Sequence, residues 1–273
     1  GTEAGDSRPY VAGDDVRRMD WPVTARTSSP HVRQTIADRE LETWLVVDLS
    51  PSVNFGTAQT EKRELVLAAI TAVVHLTARG GNRVGALITN GEQVIRLPAL
   101  AGQAHARWVI RRIAATPRAE SGGAADLTAM LESLRRPQRR RGLVAVMSDF
   151  ISSGPSDAPL TWERPMRALS ERHQLLAIEV LDPRELELTP AGLVTFADPE
   201  SGRHLEVQTS DAGLRRRYAQ AAQTQRDTIA TALRHAGAAH LQLRTDRDWL
   251  TDVVRFVVAR RRFVAGSIGT AVR

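Results

Sequence analysis

Cysteine is absent from this 273-residue chain, which excludes disulfides, thiolate metal centres and thiol nucleophiles. Aromatic residues are scarce at 4%, so the chain lacks the stacking platform that single-stranded nucleic acid requires. Lysine is nearly missing too: of the 37 lysines and arginines only Lys62 is lysine, a bias that looks like a GC-rich genome more than a selected surface. No apolar run is long enough to cross a bilayer, and the longest, Leu65 to Leu76, is broken by Thr71 and His75. A reducing, cytoplasmic setting is expected. Because the chain opens on Gly1, a preceding segment carrying a signal or a tether to the cytoplasmic face of a membrane is also expected.

What is present suits a folded domain. Hydrophobic residues make up 42% and charged residues 25%, enough apolar surface for one large core. Residues 1–40 read as an N-terminal arm. It is small and polar to Ser7, then charge-dense without sustained periodicity from Arg8 to Ala37, with His31 to Ile36 extended along an edge of the main domain. Residues 41–265 form that domain and 266–273 a tail. Strands are expected at the run from Trp44 to Asp48, at Arg83–Thr89 and Glu92–Leu97 around an Asn90-Gly91 turn, at Gly142–Met147, Leu175–Leu181 and His240–Leu243. Leu193–Phe196 and His204–Val207 read as a hairpin. Helical spacing covers Glu61–Arg79, Gln103–Ala115, Asp126–Leu134, Glu163–His173, Asp211–His235 and Asp246–Arg262. This alternation predicts an α/β fold with a doubly wound, mostly parallel sheet flanked by helices.

The first strand ends in Asp48-Leu49-Ser50-Pro51-Ser52, and a later one in Ser148-Asp149-Phe150. Ligands of doubly wound sheets sit beyond the strands' carboxyl ends, near the point where the strand order reverses. One carboxylate and two hydroxyls from a tight loop, with a second carboxylate nearby, are the hard oxygens that Mg²⁺ or Mn²⁺ prefers. The plainer alternative is that these residues only close turns and cap helices.

In this α/β order the two motifs resemble the von Willebrand factor A fold with its metal-ion-dependent adhesion site. Arg8-Pro9-Tyr10, Gly13-Asp14-Asp15-Val16-Arg17, Asp20-Trp21 and Ala25-Arg26 ahead of the first strand resemble one branch of it, domain of unknown function family 58. The resemblance implies a non-catalytic interaction module working as an adaptor or chaperone-type partner of a MoxR-type AAA+ ATPase and its client. It implies Ser50 and Ser52 as direct hydroxyl ligands, with Asp48 and Asp149 acting chiefly through waters. The family's usual threonine is replaced, since the loop reads Ser121-Gly122-Gly123-Ala124-Ala125-Asp126-Leu127, so the site is degenerate unless Asp126, Ser121 or Thr128 reaches in.

In the arm, Asp14, Asp15 and Asp20 with Arg17, Arg18 and Arg26 suggest an ion-pair lattice pegged by Trp21. The alternative is a partner-binding surface of Asp14, Asp15, Arg17, Asp20 and Trp21. Two rival functions remain. The runs Arg139–Arg141, Arg215–Arg217 and Arg260–Arg262, with a net charge of +6, suit nucleic acid or another anionic surface, although a solvated basic face explains them as well. A phosphatase using Asp48 as nucleophile is disfavoured because position 50 is serine and Asp149 is followed by Phe150.

Overall fold

A computed structural model describes residues 7–33, 41–78, 81–119, 123, 125–135, 141–151, 158–197 and 202–269. The chain divides into two compact units, 1–40 and 41–273. In the first, strand β1 (Ser7–Pro9) pairs antiparallel with β2 (His31–Arg33), and helix α1 (Trp21–Thr27) lies between them in sequence. The arm's lack of sustained periodicity gave no sign of this helix. Asp20 caps it and Pro22 sits in its first turn, where a missing N–H costs nothing. The expected strand beyond Arg33 lies outside the described residues, as does the start of the arm.

The second unit is built on six strands: β3 (Glu42–Asp48), β4 (Arg83–Thr89), β5 (Val94–Ala101), β6 (Gly142–Ser148), β7 (Gln174–Leu181) and β10 (Ala238–Arg244). Their spatial order is β5-β4-β3-β6-β7-β10, and every neighbouring pair is parallel except β4 with β5. Counted within the sheet this is 3-2-1-4-5-6, the doubly wound order, and the reversal point falls between β3 and β6. Side-chain alternation on β3 builds two cores. Leu45 and Val47 pack with α2 (Lys62–Thr77) and α3 (Gln103–Ala114), whereas Trp44 and Val46 pack with α4 (Leu127–Arg135), α5 (Glu163–Ser170) and α7 (Ala212–His235). Each such side chain, removed fully from water, stabilises by about 1.5–3 kcal/mol.

Helix α2 opens with a reciprocal capping box between Glu61 and Glu64 and buries Leu65, Val66, Ala69, Ile70, Val73 and Val74, as its apolar circumference predicts. The β4–β5 hairpin turns through Asn90, whose Oδ1 accepts the N–H groups of Glu92 and Gln93, and through Gly91 at φ +92°. A four-residue helix, α6 (Pro183–Leu186), follows β7 and has no periodicity to reveal it. The expected hairpin forms as β8 (Leu193–Ala197) and β9 (His204–Gln208), a separate two-stranded sheet. The last helix, α8, runs from Trp249 to Gly269, past the expected domain end at residue 265. Among the described residues no helix is long and apolar enough to cross a membrane.

Candidate functional site

Strand β3 delivers Asp48 to the carboxyl edge of the sheet, and β6 delivers Ser148 and Asp149 beside it. Asp48 Oδ1 accepts the Ser50 N–H at 2.9 Å and the Ser50 hydroxyl at 2.6 Å; Oδ2 accepts the Ser148 hydroxyl at 2.7 Å. The Ser50 and Ser52 hydroxyls lie 3.3 Å apart. Asp149 takes a hydrogen bond from Ser52 and, on Oδ1, one from the Ile151 N–H at 3.2 Å. Thus Asp48, Ser50, Ser52 and Asp149 converge. All are buried except Ser52, which is half-exposed and forms the outlet of the cluster.

The turn after Asp149 is unusual. Phe150 adopts φ +56°, a left-handed conformation that a bulky side chain resists, yet its ring is fully buried against Trp162 with centroids 5.3 Å apart. Its N–H donates to Ser148 Oγ at 3.0 Å. Apolar packing therefore offsets the backbone strain that aims Asp149.

Asp126 departs from the expectation. It is exposed, and its Oδ1 accepts the Ala129 N–H at 2.9 Å, so it serves as a helix cap and is not gathered into the cluster. The Thr128 hydroxyl is spent on Thr161 at 2.8 Å. Ser121, Gly122 and Ala124 lie outside the described residues. The loop does come close at Gly123, whose carbonyl would collide with a Cβ at residue 91, so only glycine permits that approach.

Residues outside the two strand-end motifs complete the site. Lys62, in the first turn of α2, is fully buried and its Nζ donates to Asp149 Oδ2 at 3.1 Å and to Glu185 Oε1 at 2.5 Å. Glu185 in turn closes a capping box with Asp182. The Asp182 carboxylate accepts the Thr57 N–H and hydroxyl and the Thr245 hydroxyl, clamping the loop after Ser52 onto the ends of β7 and β10. Beneath them, Arg226 donates to the Asp149 carbonyl and to Glu179, each at 3.0 Å, while His240 and Gln242 on β10 hydrogen-bond the other Glu179 oxygen at 2.8 Å.

Charge follows this geometry. Burial, and next the neighbouring Asp149, lift the Asp48 carboxyl from an ordinary 3.8 to about 6. Asp149 suffers the same desolvation, its largest single influence, but the Lys62 ammonium together with the hydrogen bonds from Ile151 and Ser52 holds this carboxyl below the usual carboxylate range. Burial works to lower Lys62, and Asp149 and Glu185 together keep it above the ordinary lysine value.

The family described as "Protein of unknown function DUF58" matches residues 6–228. The chain is a DUF58 protein. It is 53% identical over 262 residues to the uncharacterized protein Rv1480 of Mycobacterium tuberculosis (strain ATCC 25618 / H37Rv), an alignment covering 96% of this chain and 80% of that one. It is 47% identical over 167 residues to the uncharacterized protein MAV169 of Mycobacterium avium, covering 61% and 95% respectively. Among solved structures it is similar to the conserved hypothetical protein BatB from Bacteroides thetaiotaomicron, with a TM-score of 0.48, 14% identity, and 81% of this chain and 98% of that one covered. It is also similar to the von Willebrand factor type A structure from Catenulispora acidiphila, with a TM-score of 0.41, 12% identity and coverage of 83% and 42%. These are distant likenesses, and the doubly wound fold of the DUF58 chain rests on its own strand order.

The donor set suits a hard cation. It is all oxygen, and the 3.3 Å between the two serine hydroxyls is near the about 3.0 Å between adjacent ligands of an octahedral Mg²⁺ site. Among the described residues no group of three or more His, Asp or Glu is arranged to hold a metal, so the hydroxyls are indispensable to any such site.

The arm's acids are occupied locally. Asp14 pairs through both oxygens with Arg8 at 2.7 and 2.6 Å, a partner outside the expected lattice, and the pairing holds its carboxyl below the ordinary value. Asp15 accepts the Arg17 N–H, and Asp20 accepts the Ser7 hydroxyl and the Val23 N–H. Arg17 is exposed, and Trp21, expected as an apolar peg, is 67% exposed because it opens α1 on a face with no buried residue. Of the arginine runs, Arg215 spends Nη1 on the Thr209 and Ser210 carbonyls, Arg260 is exposed, and Arg139, Arg140 and the side chains of Arg261 and Arg262 lie outside the described residues.

Proposed function

We propose that this DUF58 chain is a non-catalytic protein-interaction module that captures a carboxylate of its partner at the Asp48–Ser50–Ser52–Asp149 cluster. Mg²⁺ or Mn²⁺ would be held there by the Ser50 and Ser52 hydroxyls, with Asp48 and Asp149 behind them. When bound, the ion supplies an open coordination position that an incoming carboxylate fills. The protein's own part is to hold the hydroxyls together beside the carboxylates: Asp48 accepts from Ser50 and Ser148, and Asp182 clamps the loop through Thr57. The partner is a MoxR-type AAA+ ATPase, or the client it acts on, as the family resemblance implies.

The observation that carries this reading is the convergence of two hydroxyls and two carboxylates at the sheet's reversal point, with Ser52 half-exposed above them. Both Asp48 oxygens are engaged in hydrogen bonds, which supports docking over a free carboxylate nucleophile. The test is binding of the purified chain to its cognate MoxR-type ATPase in Mg²⁺ and in EDTA, repeated with Asp48→Ala. Affinity should fall at least about tenfold on either change. Binding indifferent to both would overturn the reading, and so would phosphate-ester turnover abolished by Asp48→Asn.

A further inference from the structure

Lys62 is the residue that the docking reading leaves over. In a chain whose other permanently charged basic residues are all arginine, the one lysine is wholly buried, with its nitrogen shared between Asp149 at the end of β6 and Glu185 on α6. A compact ammonium makes both contacts from one atom, whereas the planar fork of arginine spreads its charge over a larger area. Two carboxylates, Asp149 and Glu185, thus share a single fixed positive charge, and Asp48 lies beside Asp149. The cluster keeps an excess of negative charge, but one Asp149 oxygen is already committed to a cation that cannot leave.

From this arrangement we infer that Lys62 is a tethered counter-ion that shares Asp149 with the divalent ion and thereby sets the affinity of the site for divalent cations low. The inference rests on the docking reading and adds its regulator: a site with a resident monovalent charge fills only at high divalent concentration or when a partner's carboxylate joins it. Two unit charges a few ångströms apart in a desolvated pocket interact strongly, so removing the ammonium raises the pull on an incoming cation. Removing Glu185 does the reverse, because it subtracts a negative charge and concentrates the ammonium on Asp149.

The test uses Mn²⁺ alone as probe, titrated into the full chain by calorimetry and by the loss of the free-ion paramagnetic resonance signal. Lys62→Met should bind Mn²⁺ at least about tenfold more tightly than wild type, and Glu185→Gln about threefold or more weakly. Glu185 keeps 19% of its side chain exposed whereas Lys62 keeps none, so its variant carries the comparison if Lys62→Met does not fold. Equal or weaker binding by Lys62→Met, or unchanged or tighter binding by Glu185→Gln, in a chain whose wild type binds Mn²⁺, would overturn the inference and leave the docking reading standing. Absence of Mn²⁺ binding by wild type and both variants at millimolar ion would overturn both.

Discussion

The acids of the arm and the acids at the carboxyl edge of the main sheet are the same chemical groups put to opposite uses. In the arm, Asp14 finds Arg8 six residues away, Asp15 caps two residues on, and Asp20 three residues on. At the sheet edge, Asp149 meets Lys62 across 87 residues, Asp182 meets Thr57 across 125, and Glu179 meets Arg226 across 47. The arm's ion pair stands in water, where solvent and salt weaken it. The sheet's pairs are dry, and breaking one strands a charge. Local partners shape a turn, whereas remote partners hold a tertiary structure together.

Three variants sharpen that contrast. The largest effect is expected from Arg226→Leu, which leaves fully buried Glu179 without its guanidinium and should cost about 3–5 kcal/mol in urea denaturation. A loss no larger than that of an exposed pair would erase the distinction between the two regions.

The next concerns pH. Because the folded Asp48 carboxyl titrates near 6 and the unfolded one near 3.8, the folded chain retains a proton between those values that the unfolded chain has released. In EDTA this contribution to stability therefore falls as pH rises through that window, by about 3 kcal/mol in all. Asp48→Asn has no such proton, so its stability relative to wild type should climb by about that much between pH 4 and pH 7. A flat difference would remove Asp48 as the desolvated acid of the site. The smallest effect is expected in the arm, where Asp20→Ala should cost about 1 kcal/mol of local helix stability. Amide exchange at Val23 reads it, while the urea midpoint of residues 41–273 stays put.

Much of this was legible in the chain itself. The buried strands announce themselves as apolar runs, and Asp48, Ser50, Ser52 and Asp149 are visible because each follows such a run directly. Lys62 and Glu185 are not, since neither touches the site through sequence neighbours and only the folded sheet brings them together. Yet both left a trace: the solitary lysine was a compositional oddity, and Asp182-Pro183-Arg184-Glu185 carries the signature of a capping box. Helix α1 was missed because seven residues with no buried face display no period to find. Asp126 misled for the opposite reason, because it sits where the family's loop suggests a ligand but faces water and the first turn of α4.

Strand β10 sets the limits of any useful fragment. The family match stops at residue 228, partway along α7, whereas His240 and Gln242, which steady Glu179, come later. A clone trimmed to the match would amputate the outermost parallel strand, bare the flank of β7 to self-association, and strip a sealed glutamate of two donors. Expression designs for this chain and its mycobacterial relatives should therefore extend at least through Arg244.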